Sequence, residues 1–121
     1  MAKRVLVVED NELNLKLFCD LLRAHGHETL AVRDGRDLLA QARDFAPDLV
    51  IMDIHLPHVS GIDLIVSLKA DAALRPVPIM AVTAYAGAGD EDRIRSAGAQ
   101  AYVVKPISVI LFVEQVNALL C

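Results

Sequence analysis

Five short apolar runs, each separated from the next by a helix-length segment, constrain the fold of this chain more than any other feature. They run from Arg4 to Val8, Glu28 to Val32, Leu49 to Met52, Ile79 to Thr83 and Ala101 to Val104. Three of them, such as Leu49-Val50-Ile51-Met52, are apolar on both faces instead of alternating. A strand with one wet face alternates, so unbroken runs predict a parallel sheet covered by helices on both sides. No Ser/Gly linker and no internal repeat interrupts this β-α rhythm, so the 121 residues are expected to form one domain, residues 1 to 121.

The intervening segments carry helix signals. Asn11 is placed to cap a helix running through Leu13, Leu17, Leu21 and Ala24 to a terminator at Gly26. Ser108 is placed to cap the last helix, with Phe112, Val116 and Leu119 on its inner stripe. Asp90, Glu91 and Asp92 precede Arg93 and Arg95 in the fourth helix, matching its macrodipole, and Gly98 ends it. Gly87 and Gly89 soften its start. Right-handed crossovers with helices on both faces predict an α/β fold, a flavodoxin-like (βα)5 doubly wound sheet of strand order 2-1-3-4-5. A closed barrel needs eight such units.

Composition excludes several classes of function. Apolar residues make up 55% of the chain, yet no run approaches the ~18 residues that would cross a bilayer. The sequence Lys3-Arg4 leads through Val5-Leu6-Val7-Val8 into Glu9-Asp10, a pair that would break the apolar region of a signal peptide, so a cytoplasmic location is expected. A net charge of -4 without a Lys/Arg cluster argues against direct DNA binding. Cys19 and Cys121, with no C-x-x-C spacing, are expected as reduced thiols.

Ligands of open parallel sheets sit at the carboxyl ends of the strands. There the first strand yields Glu9 and Asp10, the third Asp53, the fourth Thr83 and the fifth Lys105. Three carboxylates offset by one ammonium favour recruitment of a hard divalent cation with oxygen ligands. A site balanced in this way can accept a phosphoryl group, with Asp53 as nucleophile, Thr83 and main-chain N–H groups binding its oxygens, and Lys105 offsetting its charge.

The segments Val7-Val8-Glu9-Asp10-Asn11, Met52-Asp53-Ile54-His55-Leu56-Pro57 with Gly61, Val82-Thr83-Ala84 and Lys105-Pro106 together resemble the bacterial two-component response-regulator receiver domain. The resemblance covers essentially the whole chain. More narrowly, Glu9 to Phe18, Gly89 to Arg95 and Lys105 to Val109 resemble the single-domain regulators of bacterial cell-cycle control.

The resemblance implies a Mg2+-dependent phosphoacceptor, with Mn2+ able to substitute, and not an enzyme in its own right. Asp53 would be the phosphoacceptor, Asp10 a direct metal ligand and Glu9 a metal partner through water. The main-chain carbonyl of His55 would complete the protein's metal ligands. Thr83 would move toward the phosphoryl group, Lys105 would pair with it, and Tyr102 would be the aromatic switch that turns inward afterward. Pro106 resembles the family's proline after lysine, often preceded by a cis peptide bond. The implied partners are sensor histidine kinases and a phosphotransfer protein, acting on a monomer or weak dimer with no output domain, so that signalling passes through protein contact.

Competing readings concern particular residues. Asp53 alone would suit a turn cap and Thr83 a β-branched strand residue, but turn capping explains neither Glu9-Asp10 nor Lys105. Tyr102 alone would suit half-buried packing with its hydroxyl in water. His55 and His58 read as loop histidines able to tune the potential around Asp53, since an acid-rich site does not suit imidazole-bound transition metals. On the first helix, Leu15, Cys19 and Leu22 form a second apolar edge away from Leu13-Leu17-Leu21. That edge is expected either beneath the last helix or as a kinase docking surface, and Ile110 and Leu111 as a dimer or effector face.

Rivals of other kinds remain. A receiver module cut from a hybrid kinase or multidomain regulator would look the same. An aspartate-nucleophile phosphatase needs a second acid two residues after the nucleophile, where His55 stands. A nucleotide- or flavin-binding module lacks support from any G-x-G-x-x-G or Walker loop.

Overall fold

A computed structural model describes residues 3–56, 59–84 and 88–120, with the side chain of Ala88 excepted. The expectations for His58, Gly87 and Cys121 fall outside the described residues. The elements are β1 (Arg4–Val8), α1 (Glu12–Ala24), β2 (Glu28–Val32), α2 (Leu38–Phe45), β3 (Leu49–Asp53), α3 (Gly61–Ala70), β4 (Ile79–Thr83), α4 (Ala88–Ala97), β5 (Ala101–Val104) and α5 (Val109–Leu120). A 3-10 turn, Gly35–Asp37, leads into α2. All neighbouring strands are parallel, in the order β2-β1-β3-β4-β5. This is the doubly wound, flavodoxin-like arrangement read from the apolar runs. Four strands have the expected bounds, and β3 extends one residue further, to Asp53.

The unbroken apolar runs feed two cores at once, because successive side chains on a strand point to opposite faces. Leu6, Val8, Val50, Met52, Ile79 and Ala81 face α2, α3 and α4, where Leu38, Leu64, Ile65, Leu68 and Ile94 close over them. Val5, Val7, Leu49, Ile51, Met80 and Val82 face α1 and α5, meeting Phe18, Cys19, Leu22, Phe112 and Val116. The rings of Phe18 and Phe112 stack at 5.0 Å between centroids, which locks α1 against α5.

That packing corrects the orientation of α1. Two residues of the expected inner stripe face outward, Leu13 at 80% exposure and Leu17 at 38%, whereas Leu21 packs partly buried against the core. Of the two readings of the second apolar edge, packing beneath the last helix holds and the docking surface does not: Cys19 and Leu22 lie in the core at 4% and 2% exposure, and Leu15 packs partly buried against them. Phe18 decides the matter. It stands between the two leucine stripes, and burying the largest side chain turns the Cys19-Leu22 side inward with it. Ile110 and Leu111 do lie outside the inner stripe of α5, at 71% and 54% exposure.

The caps fall where the residue types place them. Asn11 Oδ1 accepts the N–H of Asn14 at 3.0 Å, and Gly26 closes α1 with a positive φ of 85°. Ser108 Oγ accepts the N–H of Leu111 at 3.4 Å, and Gly98 leaves α4 at φ 127°.

Candidate functional site

The carboxyl ends of β1, β3, β4 and β5 bring the predicted site residues to one edge of the sheet. Glu9 directly follows β1 and prolongs its pairing, its N–H donating to Val32 O at 3.0 Å. Asp10 then lies between this ladder and the cap at Asn11, so the first helix can begin only after both carboxylates have been presented at the edge. Lys105 follows β5, where its N–H donates to Thr83 O at 2.7 Å, and the Lys105–Pro106 peptide is cis.

The side chains converge. One carboxylate oxygen from each of Glu9, Asp10 and Asp53 lies within 4.8 Å of the others. Lys105 Nζ donates to Glu9 Oε1 at 2.8 Å and lies 3.6 Å from Asp53 Oδ2. Asp53 Oδ1 accepts the N–H of His55 at 3.1 Å. The side chains of Glu9 and Asp53 are only 1% and 3% exposed, whereas that of Lys105 is 22% exposed. Thr83, 1% exposed, ends the strand adjacent to Asp53 and places Oγ1 3.3 Å from His55 Nε2. Tyr102 is half-buried against the α4 side of the core. Burial, with the charges of Glu91 and Asp90, holds its phenol above the usual range.

These acids strain one another electrostatically. Burial, reinforced by the Glu9 carboxyl beside it, pushes Asp53 up to about 8, against the smaller opposing pull of the His55 N–H and Lys105. Burial alone would lower the Lys105 ammonium, but its hydrogen bond to Glu9 and the charge of Asp53 outweigh that and leave it raised. Glu9 Oε2 is buried and has no hydrogen-bond partner among the described residues. An all-oxygen donor set that holds a proton at neutral pH, with one carboxylate oxygen unsatisfied, fits a hard divalent cation. Glu9, Asp10 and Asp53 are the residues that would hold it.

Two supports were not read from the sequence. Arg33, at the exit of β2, bonds Glu12 Oε1 at 2.9 Å and Asp10 O at 3.4 Å, bracing the loop that carries the acids. The side-chain contact of His55 with Thr83 joins residues 28 apart in the chain, and only the strand order reveals it. Gly61 is required by close approach. A Cβ there would press on the Asp53 carbonyl oxygen and lie 2.6 Å from Ile54 Cα.

A parallel five-stranded sheet with an acid trio, a hydroxyl and a lysine at its carboxyl edge is the framework of a receiver domain, and the chain belongs to the response regulator receiver domain family, which matches residues 5–117. Among its relatives is the polar-differentiation response regulator DivK of Brucella ovis, 52% identical over 120 residues, 99% of this chain and 98% of that protein. The receiver domain of a sensor histidine kinase from Pseudomonas aeruginosa, solved with magnesium in its active-site cleft, is 29% identical with a TM-score of 0.89, covering 99% of this chain and 98% of that one. A CheY-like receiver domain protein from Methanospirillum hungatei is 28% identical with a TM-score of 0.89, covering 99% and 94%. No helix among the described residues is long and apolar enough to cross a membrane.

Proposed function

We propose that this chain is a phosphorylation switch that accepts a phosphoryl group on Asp53 from a phosphohistidine of a sensor histidine kinase or phosphotransfer protein. The observation carrying this reading is the convergence of the Glu9, Asp10 and Asp53 carboxylates within 4.8 Å, with Lys105 Nζ reaching two of them. A site built for structure alone would not gather three buried or half-buried acids around one lysine.

In the transfer, an Asp53 carboxylate oxygen forms a bond to phosphorus as the phosphorus–nitrogen bond of the donor breaks, and the imidazole departs with that electron pair. Asp10, Asp53 and the main-chain carbonyl of His55, with Glu9 acting through water, would hold Mg2+, which would supply charge neutralisation to the phosphoryl oxygens. Lys105, whose Nζ lies 2.8 Å from Glu9 and 3.6 Å from Asp53, turns to bind a phosphoryl oxygen, and the hydroxyl of Thr83 donates to another. Hydrolysis later returns carboxylate and inorganic phosphate.

Phosphorylation shifts a population between two conformations, because Thr83 and Lys105 bind the new oxygens better in one of them. Withdrawal of Thr83 toward Asp53 opens room for Tyr102 to turn inward, and α4 is the element that responds. Output passes through protein contact. Leu13 and Leu17 on α1, with Ile110 and Leu111 on the neighbouring α5, offer exposed apolar side chains for a kinase helix bundle. The likeness to a regulator of polar differentiation supports a role in controlling kinases of the cell cycle or cell fate.

The test is phosphotransfer from candidate kinases with labelled ATP and Mg2+. Label should pass to the wild type and be lost with EDTA or in Asp53→Asn. Equal labelling of Asp53→Asn would refute the acceptor assignment.

A further inference from the structure

His55 occupies an unusual position at this site. Its main chain is fixed: the N–H donates to Asp53 Oδ1 at 3.1 Å, and the residue forms an isolated bridge with Ser60. Its imidazole lies at the exposed mouth, and Nε2 is 3.3 Å from the buried Thr83 Oγ1. The ring therefore spans the ends of β3 and β4 directly beside the proposed acceptor. A cavity of about 140 Å³, lined by Ile54, His55, Ser60, Ile62, Thr83 and Ile94 among others, adjoins this pair. Either side chain thus has space to swing without displacing the packed core.

A threonine hydroxyl carries one proton. If that proton is donated to His55 Nε2, it is not available to a phosphoryl oxygen on Asp53, and the two acceptors compete for it. We propose that His55 is a positioning residue that latches Thr83: its Nε2 accepts the Thr83 hydroxyl proton in the unmodified protein and surrenders it when Asp53 carries a phosphoryl group. The latch rests on the reading of Asp53 as acceptor. It sets how strongly modification must pull before the switch turns, because every activation breaks the His55–Thr83 bond. A scaffold role, in which His55 helps present Thr83 to the phosphoryl group, predicts the opposite sign.

The probe is beryllofluoride with Mg2+, titrated by NMR into the wild type, His55→Phe and His55→Gln, with Asp53→Asn as the control for binding at the acceptor. Phenylalanine keeps a ring at the mouth but offers no acceptor, whereas the glutamine amide oxygen can accept the hydroxyl proton. Breaking one net hydrogen bond should tighten beryllofluoride binding by about 3- to 10-fold in His55→Phe. The value should return close to wild type in His55→Gln. In a Thr83→Ala background, His55→Phe should change nothing, since the latched hydroxyl is gone. Unchanged or weaker binding in His55→Phe, or the same gain without Thr83, would overturn the latch. Wild-type binding no stronger than that of Asp53→Asn would instead overturn the acceptor reading, and the latch with it.

Discussion

Replacing Asp53 by asparagine should stabilise the metal-free protein, and by an amount that grows with pH. The side chain is 3% exposed, and burial beside Glu9 raises its carboxyl to about 8. The unfolded chain ionises this group near the ordinary value of ~3.9. Between the two values the native state holds a proton that the unfolded state has released, so native stability is fully present below ~3.9 and drains away as pH rises toward about 8. The slope is ~1.4 kcal/mol per pH unit, which gives on the order of 3 kcal/mol between pH 5 and pH 7. Asparagine does not titrate, and its Oδ1 can still accept the His55 N–H, so the difference between the proteins isolates the carboxyl. Urea denaturation in EDTA across this range should show Asp53→Asn gaining on the wild type by roughly that amount, with a plateau above about pH 8. A difference independent of pH, or one that falls as pH rises, would refute the reasoning. It would mean that Lys105 dominates the local field and that the carboxyl is ionised throughout.

Mg2+ at a hundredfold excess over its dissociation constant should add about 2.7 kcal/mol to the wild type, raising Tm by about 10 °C in calorimetry, while Asp10→Ala should show little response. The orientation of α1 is tested by a pair of truncations: Leu22→Ala should cost about 2–5 kcal/mol in urea denaturation and Leu13→Ala less than about 0.5 kcal/mol. Gly61→Ala forces the Asp53 backbone aside and should cost about 1–3 kcal/mol, with slower labelling of Asp53 in a phosphotransfer time course.

The sheet was legible because its signal is redundant. Val5 to Val8, Leu49 to Met52 and Ile79 to Val82 are buried from both sides, so nothing but a doubly covered parallel sheet accommodates them. Once the strand ends are known, Glu9, Asp10, Asp53, Thr83 and Lys105 must share an edge. The faces of α1 were not legible in the same way, since Leu13-Leu17-Leu21 and Leu15-Cys19-Leu22 are stripes of comparable apolarity. The choice between them depends on the pairing of Phe18 with Phe112, a contact between residues far apart in the chain. Arg33 and the imidazole of His55 escaped for a related reason. An arginine at a strand exit and a histidine in a loop are ordinary in isolation, and their roles arise from the neighbours that β2-β1 and β3-β4 pairing supplies.

The acceptor chemistry itself is open to direct chemical mapping. After exposure to acetyl phosphate and Mg2+, borohydride reduction converts an aspartyl phosphate into homoserine at the modified position, and peptide mass spectrometry locates it. Homoserine should stand at position 53 and at no other carboxylate. Homoserine at Asp10 or 5-hydroxynorvaline at Glu9 instead, or no reduced residue at any position despite an intact fold and bound Mg2+, would contradict the assignment of Asp53 as the group that carries the signal.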